Sequence, residues 1–124
     1  MDRSLKLHNF NFPKTDRILK HNDFLQLSKK GKKVKNKYFT VVYSQSFFGT
    51  TRLGLTVSKK AGNSVLRNMI KRNIREYFRI NKGCFKNKWD INVIAKPEAG
   101  SLKSALLILS LQDVFRKIDE GLDN

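Results

Sequence analysis

The stretch VSKKAGNSVLRNMIKRNIREYFR, Val57 to Arg79, decides how the rest of the chain is read. Beyond its opening turn the apolar residues recur at helical spacing, and Asn63 or Ser64 can cap the first turn of a helix. Advancing about 100° per residue places Leu66, Ile70, Ile74 and Tyr77 within roughly 80° of one another, with Met69 and Phe78 on the flanks. That stripe is expected to face a core. The same rotation gathers Arg67, Asn68, Lys71, Arg72, Arg75 and Arg79 into an arc of about 140° on the opposite side, relieved only by Glu76. A helix that is merely soluble interleaves Glu with Lys to gain i, i+4 pairs, and this one does not. Lys59 and Lys60 stand where the exposed N–H groups of the helix start also favour phosphate, and arginines suit forked contact with it. A basic ridge on an amphipathic rod is the expectation.

Working outward, the period changes to two. Phe39, Val41 and Tyr43 alternate with Tyr38, Thr40 and Val42; after a loop at 45–51, Leu53, Leu55 and Val57 alternate with Arg52, Gly54, Thr56 and Ser58. These read as two strands of a hairpin with one apolar face toward the core and one open face. Ahead of them, HNDFLQLSKKG predicts a short helix: Asn22 as cap, Phe24 and Leu27 on one face, Gly31 closing the end in a left-handed conformation. The lysines from Lys29 to Lys37 read as a solvated flank. WDINVIA, Trp89 to Ala95, is a third strand stopped by Lys96 and Pro97. A last helix is expected from about Leu102 to Ile118, capped by Ser101. Met1 to Lys14 lacks periodicity and reads as a mobile arm. The whole, residues 1–124, is expected to form one α+β domain with helices packed on a small sheet.

Composition bounds the function. The chain has 124 residues with 26 Lys and Arg against 10 Asp and Glu, a net charge of +16. The charge is uneven: residues 1–79 hold 19 basic and 4 acidic side chains, residues 80–124 hold 7 and 6. A directed positive field of this kind favours a polyanion, and counterion release makes nucleic acid the partner that gains most. Anionic lipid and acidic protein are the weaker alternatives. The longest strongly apolar run, Ala105 to Leu109, is far short of the roughly 20 residues that span a bilayer, and no signal-peptide pattern opens the chain. A cytoplasmic protein is expected.

Chemistry of its own is poorly provided for. The single cysteine, Cys84, permits no intrachain disulfide, and no Cys/His cluster has metal-ligand spacing. The carboxylates fall mostly at the tail end or singly among bases, His8 and His21 lie in the arm and at a helix start, and no Gly-rich phosphate loop is present. No catalytic residue and no metal site are expected within the protein. Phe24 and Tyr38 are the aromatic candidates for stacking on unpaired bases, the usual way of holding a single strand.

The stretch R-x-G-L-T-V-S-K-K-x-G from Arg52 to Gly62, followed by V-L-R-N-M-I-K-R-N-I-R-E from Val65 to Glu76, resembles the RNR signature of the bacterial ribonuclease P protein component. Phe12 and Pro13, D-F-x-x-L before K-x-G at Asp23 to Gly31, V-I-A-K-P at Val93 to Pro97 and L-Q-D-V-F-R-K at Leu111 to Lys117 extend the resemblance over most of the chain. It implies a mixed four-stranded sheet with three helices and a left-handed βαβ crossover around the basic helix, against the usual right-handed rule. It also implies that a catalytic RNA subunit, using Mg²⁺, removes the 5′ leader of precursor tRNA. No cofactor is then bound by the protein alone, and neither a membrane nor a protein partner is implied. The implied contacts to the RNA subunit are Arg67, Asn68, Lys71, Arg72 and Arg75, with Lys59, Lys60 and Arg79 beside them. The implied leader cleft comprises Lys20, Phe24, Thr40, Val42, Thr56 and Ser58, with Tyr38 and Arg52 adjoining. A structural RNA-binding protein of ribosomal type is the alternative reading of the same ridge.

Overall fold

The computed structural model describes residues 17–18, 21–47 and 49–120. Lys20 and the expected arm at 1–14 therefore lie outside the described residues. In chain order the elements are α1 (His21–Lys30), β1 (Lys32–Lys35), β2 (Phe39–Gln45), β3 (Arg52–Val57), α2 (Ser64–Asn81), β4 (Trp89–Ala95) and α3 (Ser104–Glu120). Single turns of 3-10 helix at Lys59–Ala61 and Pro97–Ser101 flank the crossover. No described helix is long and apolar enough to cross a membrane.

The four strands are ordered β1-β2-β4-β3. This corrects the hairpin expected for β2 and β3: β4 lies between them, antiparallel to β2 and parallel to β3. Alternation reports which face a side chain occupies and is silent about which strand lies alongside. A parallel pair needs a crossover connection, and α2 supplies it. The basic run also changes character. Lys32–Lys35 forms the edge strand β1, because Val34 within it is fully buried while its lysines stay in water.

One sheet face carries the main core. Phe39, Val41 and Tyr43 of β2, Leu53 of β3 and Ile91, Val93 and Ala95 of β4 pack with Ile70, Ile74 and Phe78 of α2 and Leu107, Leu111, Val114 and Ile118 of α3. Each of the Val, Leu, Ile and Phe side chains among them contributes about 1.5–3 kcal/mol on burial. Asn63 is the cap of α2, its Oδ1 accepting from Leu66 N at 2.9 Å. The helix is rotated relative to the expected stripe: Phe78 is fully buried and Met69 is exposed. Packing against both the sheet and α3 broadens the buried arc on the Phe78 side, which draws Arg67 and Lys71 to half-buried margins.

Two local expectations are also corrected. Gly31 has no positive φ; the position after α1 takes glycine because a Cβ there would lie 2.6 Å from Leu27 O and 2.7 Å from Val42 Cγ1. The last helix starts at Ser104 rather than Leu102, since Pro97–Ser101 forms its own turn and the Ser101 hydroxyl donates to Glu98 O. Asn36 ties α3 to the turn before β2. Its Oδ1 accepts from Tyr38 N and Phe39 N, and its Nδ2 donates to Ser110 O, Ser110 Oγ and Asp113 Oδ2. Burial pushes the Asp113 carboxyl up, but Asn36, Lys117 and Arg116 outweigh it and hold the group below its ordinary value.

Gly100 sets the turn that carries Lys59 and Lys60. A Cβ at Gly100 would fall 1.8 Å from Ala61 O, backbone that cannot swing aside. Gly100→Ala is therefore expected to destabilise the fold by about 1–3 kcal/mol, the usual cost of overpacking. Chemical denaturation checks this, and an unchanged midpoint would show that the two turns separate freely.

Candidate nucleic-acid interface

The second sheet face is only partly covered. Its side chains form three cross-strand rows, read from the register. Ser44, Asp90 and Arg52 make one; Lys33, Val42, Asn92 and Gly54 the next; Lys35, Thr40, Ile94 and Thr56 the third. α1 lies over the first two. Leu27 and Val42 are buried with Ile18 in a small second cluster, against which Phe24 and Ile94 pack. Gly54 is what lets α1 come so close, since a Cβ there would meet Phe24 Cε1 at 2.5 Å. The third row stays open, with Thr56 exposed and Thr40 and Ile94 half-buried.

Arg52 fastens α1 to this face. Its Nε and Nη2 donate to the two carboxylate oxygens of Asp90 at 2.8 Å each, and its Nη1 lies 3.5 Å from Asp23 Oδ2 of α1. The Asp90 hydrogen bonds raise the guanidinium above its ordinary value against the opposing effect of desolvation. Arg52, read as an open-face cation, is thus a buried clamp at 8% exposure. Val42, read as part of the open face, lies beneath α1. Tyr38 precedes β2 and packs against the main core with Lys37 Nζ 5.7 Å from its ring centroid, whereas Phe24 belongs to the opposite face. The two rings therefore do not form one platform.

Along the β3 edge, between α1 and α2, runs a cleft of about 360 Å³ lined by Arg17, Ile18, Phe24, Leu53, Gly54, Leu55 and Arg75. It joins the α1 wall to the basic helix. Arg17 and the β4 residues Asn92 and Ile94 of the open face were not anticipated. Arg17 stands in an unpatterned segment, and the two β4 residues follow from strand parity only once β4 is known to be central. Thr56 Oγ1 is 3.4 Å from Asn92 Oδ1. Ser58 is half-buried, its Oγ accepting from Lys60 N at 3.2 Å, so its hydroxyl caps the turn that presents Lys59 and Lys60 to solvent.

On α2, Asn68, Arg72 and Arg75 are exposed along the outer line of the helix. Arg67 donates to Gly62 O at 3.2 Å and Ser64 Oγ at 3.3 Å, bracing the helix start, and Arg79 pairs with Glu76. The ridge is thus graded. Its ends are tied to the protein, and its middle presents cations and an amide outward without a matching row of carboxylates, an arrangement suited to phosphate.

Because Asp90 and Asp23 lose their cation together, Arg52→Ala is expected to cost about 3 kcal/mol of stability, the penalty of stranding partly buried charge. A thermal or urea melt reads it. Wild-type stability in the variant would mean that the clamp is screened by water and that Arg52 serves another purpose.

The ribonuclease P family model matches residues 12–119. The ribonuclease P protein component of Desulfatibacillum aliphaticivorans is 44% identical over 113 residues, covering 91% of this chain and 96% of that one. The solved ribonuclease P protein of Staphylococcus aureus superposes with a TM-score of 0.80 at 39% identity, covering 88% of this chain and 98% of that one. The Thermotoga maritima structure gives 0.72 at 32% identity, covering 81% and 96%. With the mixed sheet, the three helices and the ridge in place, these likenesses agree: the chain belongs to the bacterial ribonuclease P protein component family, the protein subunit of the ribonucleoprotein that processes the 5′ end of precursor tRNA.

Proposed function

We propose that this chain, acting as one RNA-binding domain in the cytoplasm, holds the RNA subunit on the α2 ridge and the single-stranded leader in the open cleft beside α1. The observation that carries the reading is the adjacency of the two surfaces: Arg75 of the ridge and Phe24 of α1 line the same cleft. Asn68, Lys71 and Arg72, with Lys59 and Lys60, take phosphates of the RNA subunit, and Arg67 and Arg79 shape that surface. Phe24, Thr40, Thr56 and Ser58 border the leader, joined by Asn92 and Ile94 of β4. Contacts of this kind position and neutralise the backbone and read little sequence.

The holoenzyme of this family is Mg²⁺-dependent. We assign the metal to the RNA subunit, because among the described residues no group of His, Cys, Asp and Glu could hold a metal ion, and Asp23 and Asp90 are engaged by Arg52 and Glu76 by Arg79. The protein's part is to screen phosphate repulsion between substrate and ribozyme, so that less Mg²⁺ is needed to bring them together.

Phe24→Ala is expected to weaken holoenzyme binding of precursor tRNA by about 1–3 kcal/mol while affecting mature tRNA less, if the ring stacks on a leader base. Equal losses for the two ligands, measured as equilibrium Kd, would remove Phe24 from the leader path. For the ridge, Lys71→Ala combined with Arg72→Ala should reduce the log–log salt slope of RNA-subunit binding by about 0.9 for each phosphate left without its cation. A slope equal to wild type would return both side chains to solvent. A ribosomal-type structural role predicts instead that cleavage at limiting Mg²⁺ does not respond to either variant.

A further inference from the structure

The lysines around β1 are a strongly charged surface that the ridge and cleft leave unexplained. Lys29, Lys30, Lys32, Lys33, Lys35 and Lys37 fall within nine consecutive positions with no acidic residue among them. All six are exposed. Among the described residues, Lys29, Lys30, Lys32 and Lys33 engage no carboxylate. Such crowding costs stability unless a partner neutralises it.

Their position gives the charge a direction. β1 and β3 are the two edges of the sheet, so the open row begins at Thr56 beside the Lys59–Lys60 turn and ends, three strand spacings or about 14 Å away, at β1. Val34 points into the main core, which sends Lys33 and Lys35 to the open face, opposite Val42 and Thr40. Lys29 and Lys30 close the last turn of α1, and α1 walls the same row. Edge strands are commonly guarded by lysine against pairing with another sheet. That role calls for one or two charges at the edge, and it does not account for lysines facing across the sheet or for those on α1.

We propose that this lysine edge is a second phosphate-contact surface, holding the ribose-phosphate backbone of the leader where it leaves the open row at Thr40. The inference rests on the reading that the open face takes the leader. Lysine acts here as a point charge without a planar fork, so the edge responds to leader length and ionic strength and is indifferent to leader sequence. The same chemistry would suit a phosphate of the RNA subunit, and the test separates the two sources.

The experiment uses the reconstituted holoenzyme and precursor tRNAs whose leaders grow one nucleotide at a time, comparing the wild-type chain with Lys29→Gln/Lys30→Gln/Lys33→Gln and with Lys33→Gln alone. Binding of each chain to the RNA subunit by itself forms the second arm, and a melt confirms that each variant folds. The expected result is that variant and wild type bind short leaders alike and diverge as the leader lengthens. The salt slope for the longest leader should fall by about 0.7 for each leader phosphate that the substitutions leave unneutralised, with Lys33→Gln showing the smaller share. Identical length dependence and slope would overturn the proposal, and so would self-association of the variant with the slope intact, which is the edge-guarding outcome. Loss confined to the RNA-subunit arm would overturn it in favour of that RNA. If the wild-type chain itself gained no affinity from any leader, the underlying reading of the open face would fall with it.

Discussion

A strand inserted between two that are neighbours in sequence has consequences throughout this molecule. With β4 lying parallel to β3, the chain cannot return by a turn and must cross the sheet as a helix. That helix is α2, the most basic of the three described helices. Because α2 and α3 both settle on one sheet face, that face becomes the core, and the other is left to the ten residues of α1. A single helix, about 10 Å across, cannot cover strands of seven residues, which run about 23 Å. The uncovered row is therefore a product of topology, and the side chains that line it only finish what the strand order begins.

Electrostatics then divides the labour. Where cations are structural they are paired: Arg52 with Asp90 and Asp23, Arg116 with Asp113 and Glu120, Arg79 with Glu76. Among the described residues, Arg72 and Arg75 of α2 and Lys29, Lys30 and Lys33 near β1 are exposed and engage no carboxylate, and these cations flank the open row on both sides. A single strand laid across that row would meet a positive surface at either end and an apolar wall at Phe24. The glycine at position 54 lets Phe24 approach the sheet, so the wall and the clamp depend on each other. Removing either would loosen α1 and blur the cleft that it borders.

Much of this was legible in the residues. The α2 cap, the core stripe through Ile70 and Ile74, the outward cations and the parity of Phe39, Val41 and Tyr43 all follow from helical and strand periods. The neighbour of each strand did not, because parity is blind to pairing. For the same reason Asn92 and Ile94 escaped notice, since they become open-face residues only in a central strand. β1 was obscured by its lysines, which dominate a four-residue strand whose one diagnostic residue is Val34. Arg52 and Val42 have the correct parity for the open face. Their burial depends on where α1 lies, a tertiary fact that no local pattern carries.

The central claim is that the open row and the basic helix serve two different RNAs. Photo-crosslinking tests it most directly, using a probe placed at Thr56→Cys or at Arg72→Cys in a Cys84→Ser background, since the native Cys84 is exposed. In the holoenzyme with precursor tRNA, the probe at position 56 should capture leader nucleotides and the probe at position 72 should capture the RNA subunit. Leader captured from position 72 with none from position 56 would contradict the account.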